Sequence, residues 1–136
     1  MYKLTATGVL LEDKWIPNAP GNTDWEEYQA WLLIEGNIPD PEFSEDEQRA
    51  NKIKEIKTEA YANIIRVADD IKQRNMLATA LYIVNKKVDG ITLSPDELTT
   101  LANIQAVWGV IENERAISND RETKVLVAPI QDIEEI

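Results

Sequence analysis

The chain reads as a mainly α protein with a small N-terminal β element, an α+β arrangement built on long antiparallel helices. Two observations carry that reading. Apolar residues recur at three- and four-residue spacing from Ala50 to Val84 and again from Leu98 to Ile111, and a Ser-x-x-Glu cap opens each run. Residues 2–16 instead alternate with period two or form short apolar runs, as strands do. Between them, Pro17, Pro20, Gly21, Gly36, Pro39 and Pro41 interrupt regular structure.

Taken in order, Tyr2 to Ile16 predicts two short strands in a hairpin. Tyr2, Leu4 and Ala6 alternate with polar neighbours, and Glu12-Asp13 supplies a turn before Lys14-Trp15-Ile16. A hairpin this small is marginal alone, so it must pack on something, with Trp15 as its anchor. Asp24 is expected to cap a helix from Trp25 to Glu35, with Glu27 three positions on. Trp25, Tyr28, Trp31 and Leu32 make one aromatic face on it. Residues 1–38 thus form a front module, 39–43 a proline-rich linker, 44–121 a helical body and 122–136 an extended C-terminal arm.

Within the body, Ala50, Ile53, Ile56, Ala60, Ile64, Val67, Ala68 and Ile71 line one helix face, suited to a hairpin limb or to a homo-oligomer. The pattern continues through Met76, Leu77, Ala80, Leu81 and Val84, with any bend near Asn75 left open. Asp89-Gly90 ends it. Ser94-Pro95-Asp96-Glu97 then places a cap, a first-turn proline and a returning glutamate in register. Leu98, Leu101, Ile104, Val107, Trp108 and Ile111 follow as an apolar face able to pair with the first long helix. Gly109 within it either admits a close neighbour or is simply tolerated. Val125 to Ile130 is apolar enough to be docked as a strand or arm, with a solvated acidic tail beyond.

A formal net charge of -11 over 136 residues opposes binding to a nucleic-acid backbone, which draws on Lys and Arg. Mimicry of DNA by carboxylate rows is the exception, and the uneven spread of acids counts against it. Without histidine or cysteine, the commonest general base, the commonest transition-metal ligand and every thiol are missing. No apolar run approaches the roughly 20 residues that span a bilayer, so no membrane is expected as a partner. Catalytic, cofactor and metal sites are all expected to be absent. The acids Asp24, Glu26, Glu27, Glu42, Glu45, Asp46 and Glu47 read as solvated faces, since nothing in their spacing sets two carboxylates across a cleft.

The candidate surfaces are therefore for a partner. Trp15, Trp25, Tyr28 and Trp31 either form a stacking platform for a sugar or a proline-rich peptide or are the core of a module short of other large apolar residues. In Ala68 to Ala78, Lys72 and Arg74 can face a carboxylate partner; alternatively Arg74 and Asn75 tie two helices together while Met76 fills a gap.

The segment Pro17 to Leu32, with Glu35-Gly36-Asn37 and Pro39-Asp40-Pro41, resembles the front of small proteins encoded among tailed-bacteriophage tail and tail-fibre genes. Lys72 to Ala78, Ser94 to Glu97 and Leu101 to Arg115 are similar to a helical module of the same group. The resemblance implies a non-enzymatic role in tail-fibre assembly, or as a component retained in the virion. It places Trp25, Tyr28 and Trp31 on a recognition module and Arg74 and Asn75 on the helical one. The implied partner is a phage tail or tail-fibre protein, met in the host cytoplasm or in the virion tail. Ile71 stands where the family pattern has tryptophan, and is expected to be packed. An acidic host-directed inhibitor is the competing class.

Overall fold

A computed structural model describes residues 1–136. It is mainly helical with a small N-terminal antiparallel sheet, as the α+β reading required. The chain divides into two compact units, Met1–Gln48 and Arg49–Ile136.

The front unit holds three strands where two were expected: β1 (Tyr2–Thr5), β2 (Gly8–Leu11) and β3 (Lys14–Pro17), ordered β1-β2-β3 and antiparallel throughout. Two-residue turns at Ala6-Thr7 and Glu12-Asp13 set the register, pairing Thr5 with Gly8 and Leu11 with Lys14. That register puts Tyr2 opposite Leu11 and Val9 opposite Ile16 on one face. Helix α1 (Thr23–Leu32) covers this face with Tyr28, so Tyr2, Val9, Ile16 and Tyr28 make the core, edged by Leu11, Trp25 and Trp31. Trp15 is not the anchor: it pairs with Leu10 on the opposite face and is 52% exposed, while its neighbour Ile16 takes the buried place. Asn22, rather than Asp24, caps α1, its side-chain oxygen accepting from the Trp25 amide at 3.1 Å. Asp24 instead pairs with Lys14 at 2.7 Å.

Residues 39–43 are not a free linker. Asp40 forms a parallel bridge with Lys3: its amide donates to the Tyr2 carbonyl, and its carbonyl accepts from the Leu4 amide, each at 2.8 Å. Pro39 and Pro41 lack the amide donor, so Asp40 between them makes the pairing. Glu42 then accepts from the Ala6 amide at 3.1 Å. The unit boundary accordingly falls later than the linker, inside the first turn of the next helix.

The second unit is a helical hairpin with one broken arm. Helix α2 (Glu45–Val67) and helix α3 (Asp70–Val88) both run antiparallel to α4 (Pro95–Val127), whose 33 residues reach about 50 Å. Along α2, Lys57 meets Glu122, Glu59 meets Arg121, and Asn63 meets Glu114. Along α3, Gln73 and Leu77 line a cavity together with Trp108, and Lys86 meets Glu97. The break lies at Ala68-Asp69, not near Asn75. Asp69 is a better helix cap than interior residue, and its carboxylate accepts from the Lys72 amide at 2.7 Å. Ile71, expected to be packed, is instead exposed, because the buried seam of α3 runs through Ile83.

Helix α4 buries Ile104, Ile111, Ser118 and Val125, one residue every seven, which is the seam of a coiled coil. The same repeat explains why 122–136 is not an extended arm. The helix continues to Val127 because Val125 falls on the seam, and Ile130–Glu135 then forms a 3₁₀ turn that buries Ile133. This end is docked, as its apolar content predicted. The Arg49 guanidinium donates to the Val125 carbonyl, and the Arg121 Nε donates to the Ile136 carbonyl at 2.8 Å. Lys52, buried on α2, reaches the Glu134 carbonyl at 3.3 Å and the Glu134 carboxylate at 3.8 Å.

The hairpin turn carries a pH-dependent clasp. The Ser94 hydroxyl accepts from the Glu97 amide, the Glu97 carboxylate accepts from the Ser94 amide at 2.9 Å, and its second oxygen meets Lys86 at 2.5 Å. The Lys86 ammonium first, and the Ser94 amide next, hold the Glu97 carboxyl below its ordinary range; the same contact raises Lys86. A lowered carboxyl contributes stability above its unfolded pKa and loses it as pH falls through the folded value; a raised ammonium loses its share only as pH rises through its own folded value. The melting temperature should therefore be flat near neutrality and fall on acidification below the usual glutamate range. Glu97→Gln should flatten that acid limb in thermal melts followed by circular dichroism, and an unchanged slope would refute the assignment.

Candidate partner-binding surfaces

In the front unit, the aromatic helix is mostly core. Tyr28 lies between Tyr2 at 4.9 Å, Trp25 at 5.1 Å and Trp31 at 6.2 Å between ring centroids, and burial pushes its phenol above the ordinary value. It cannot contact a partner without unfolding the unit. Trp25 and Trp31 are half-buried against the core. The exposed apolar surface lies just beyond, at Leu33, Ile34 and Ile38, where α1 ends and Asn37 donates to the Trp31 carbonyl at 2.8 Å. Sequence reasoning passed over these three because they follow the periodic face rather than join it.

The second unit carries an open groove along one side of the hairpin. A cavity of about 410 Å³ at the start of α3 is lined by Asp70, Gln73, Arg74, Leu77 and Trp108. Asp70 and Gln73 also line its neighbour of about 300 Å³, which continues through Lys57, Tyr61, Ile64 and Arg115. The groove exists because α2 stops and α3 restarts while α4 runs on unbroken beside both. Of the expected residues, Arg74 lines it. Its Nε donates only to the Asp70 carbonyl of its own helix, at 3.3 Å, so it ties no helices together. Asn75 is exposed and outside the lining. Lys72 spans the break, donating to the Val67 carbonyl at 3.0 Å, and Gln73 does the same to Ala68 at 2.8 Å. These two, rather than Arg74 and Asn75, tie the helices together by satisfying the carbonyls at the end of α2. Trp108 was legible only as a helix-face residue and Tyr61 falls outside the apolar face read for its helix; bringing both to one groove depends on the α4 register.

The charge is divided between the units. Residues 1–48 contain eleven acids and two bases, a net of -9, leaving -2 for the hairpin, where Lys57, Arg74 and Arg115 all border the groove. Three of the front acids are engaged: Asp24 pairs with Lys14, Glu42 accepts from the Ala6 amide, and Glu47 accepts from the Ser44 amide and hydroxyl, which lowers its pKa. No group of three or more acidic side chains converges as metal ligands would, and no helix is long and apolar enough to cross a membrane. No family model, curated protein or solved structure matches the chain.

Proposed function

We propose that this chain is a non-enzymatic assembly factor or adaptor that binds a bacteriophage tail or tail-fibre protein. The observation that carries it is the open groove of the hairpin, whose Tyr61, Ile64 and Trp108 offer apolar contact inside a rim of Lys57, Arg74 and Arg115. Apolar centres with charged rims are how protein partners are held. The exposed Leu33, Ile34 and Ile38 supply a second contact in the front unit. The biology comes from the resemblance of Pro17–Leu32 and Lys72–Ala78 to tail-fibre-associated proteins, with binding in the host cytoplasm during assembly. The concentrated charge of the front unit favours a second reading, a host-directed inhibitor that occupies a basic site.

Pull-down from infected lysate, paired with a protein inventory of purified particles, separates these. A fibre protein captured by a chain absent from particles marks an assembly chaperone; integer occupancy in particles marks a retained tail component. Tyr61→Glu with Arg115→Glu should abolish fibre capture while helicity is kept. Capture undiminished by that pair would exclude the groove, and recovery of a basic host enzyme instead would establish the inhibitor.

A further inference from the structure

Beyond the break, the same side of the hairpin turns almost wholly apolar. Leu77, Leu81, Val84 and Val88 recur at intervals of four, three and four along α3, and Arg74 begins the same stripe three residues earlier. Such a row is the a/d seam of a coiled coil, and it is distinct from the seam through Ala80 and Ile83 that faces α4. On α4, Trp108 lines the same cavity as Leu77, and Leu98 is exposed at the hairpin end of the helix. Leu77, Leu81, Val84, Val88 and Leu98 are between 42% and 78% exposed. Together they amount to roughly 500 Å² of apolar surface, near the upper end for the largest patch on a monomer. That is more than half of the roughly 800 Å² per partner in a standard interface, before Trp108 is added.

We infer that this face is covered by a second copy of the chain, in a two-fold, antiparallel four-helix arrangement. Two features select a second copy over another partner. The stripe is self-complementary: reversed on itself, it sets Leu77 against Val88 and Leu81 against Val84 of the other copy, then repeats both pairs across the axis. Every apolar position finds an apolar one. The same register brings the hairpin tip of one copy, with exposed Ile91, to the groove mouth of the other. There Arg74, which makes no ion pair in its own chain, falls opposite Ile91, two residues from Asp89 at the C-terminal end of the opposing α3 and within reach of its carboxylate. The Lys57–Ile64 stretch of the groove stays open, while Arg74 and Trp108, which line its other end, are shared with the dimer face.

Sedimentation velocity and light scattering on the purified full chain, across the micromolar range, test this without a fibre protein. The expected result is a concentration-dependent dimer. Leu81→Glu should weaken it by about thirtyfold or more, as loss of a central hot spot does, with helicity kept because Leu81 is surface-exposed in one chain. Arg74→Glu and Asp89→Arg should each weaken the dimer, and the two combined in one chain should restore it. A monomer throughout the range, or a dimer indifferent to Leu81→Glu, would overturn the inference and leave the patch to a different protein. Loss with Leu81→Glu but no rescue by the charge swap would overturn the antiparallel register.

Discussion

Gly8→Ala should unfold the front unit. A methyl group at this position would sit 2.0 Å from the Ile16 carbonyl oxygen and 3.0 Å from its carbon, both backbone atoms of the paired strand. No rotamer relieves that contact; β2 and β3 must separate, and with them the pairing that buries Val9 and Ile16. A unit of 48 residues with four-residue strands has little reserve. The loss should be about 3 kcal/mol or more, in the range reserved for disrupted backbone packing. Near-ultraviolet circular dichroism reads it directly, since the tilted Tyr2, Trp25, Tyr28 and Trp31 rings owe their fixed geometry to the sheet. Gly109→Ala is the matched control. It lies inside α4 with nothing near the added methyl group, so it should stabilise by about 0.5–1 kcal/mol. A Gly8→Ala protein with native aromatic dichroism and an unchanged urea midpoint would contradict the register described for β2 and β3.

Ile111→Ala should cost the hairpin about 2–5 kcal/mol. Ile111 is fully buried, one heptad from Ile104 and one from Ser118. It stands where α4 passes from its contacts with α3, through Trp108, to those with α2, through Glu114. The hairpin buries few large side chains completely, and Ser118 with its hydroxyl bonded to Glu122 at 3.0 Å fills one seam position with a small polar group. A cavity at 111 therefore has few neighbours able to collapse into it. Val110→Ala, on the exposed neighbour, should fall within about 0.5 kcal/mol of the parent. Chemical denaturation followed at 222 nm separates the two, and equal effects would mean that the seam does not carry the hairpin's stability.

Local chemistry determined much of this protein from the sequence alone. Ser44 with Glu47 and Ser94 with Glu97 cap helices where their spacing said they would, because a side-chain oxygen three residues from an orphan amide needs no distant partner. The α+β class, the docked C-terminus and the pairing of α4 with the earlier helix were legible for the same reason, as periodicities of apolar residues. The heptad from Ile104 to Val125 is also in the sequence, and it carries α4 past 121 against the strand preference of Val-Leu-Val.

Tertiary structure decided what local pattern leaves degenerate. Trp15 and Ile16 are both apolar and adjacent; only the strand register buries one and exposes the other. Asp40 between two prolines has the composition of a linker, yet the open edge of β1 gives its amide and carbonyl partners 38 residues away at Tyr2 and 36 away at Leu4. Lys72, Arg74 and Asn75 lie together on one turn, and the place where α2 ends divides them. Lys72 binds the α2 terminus, Arg74 borders a groove completed by Trp108 from α4, and Asn75 meets neither. A side chain's chemistry is set by its own atoms, but its availability depends on contacts between residues far apart in the chain, which a single sequence encodes only through the packing it adopts.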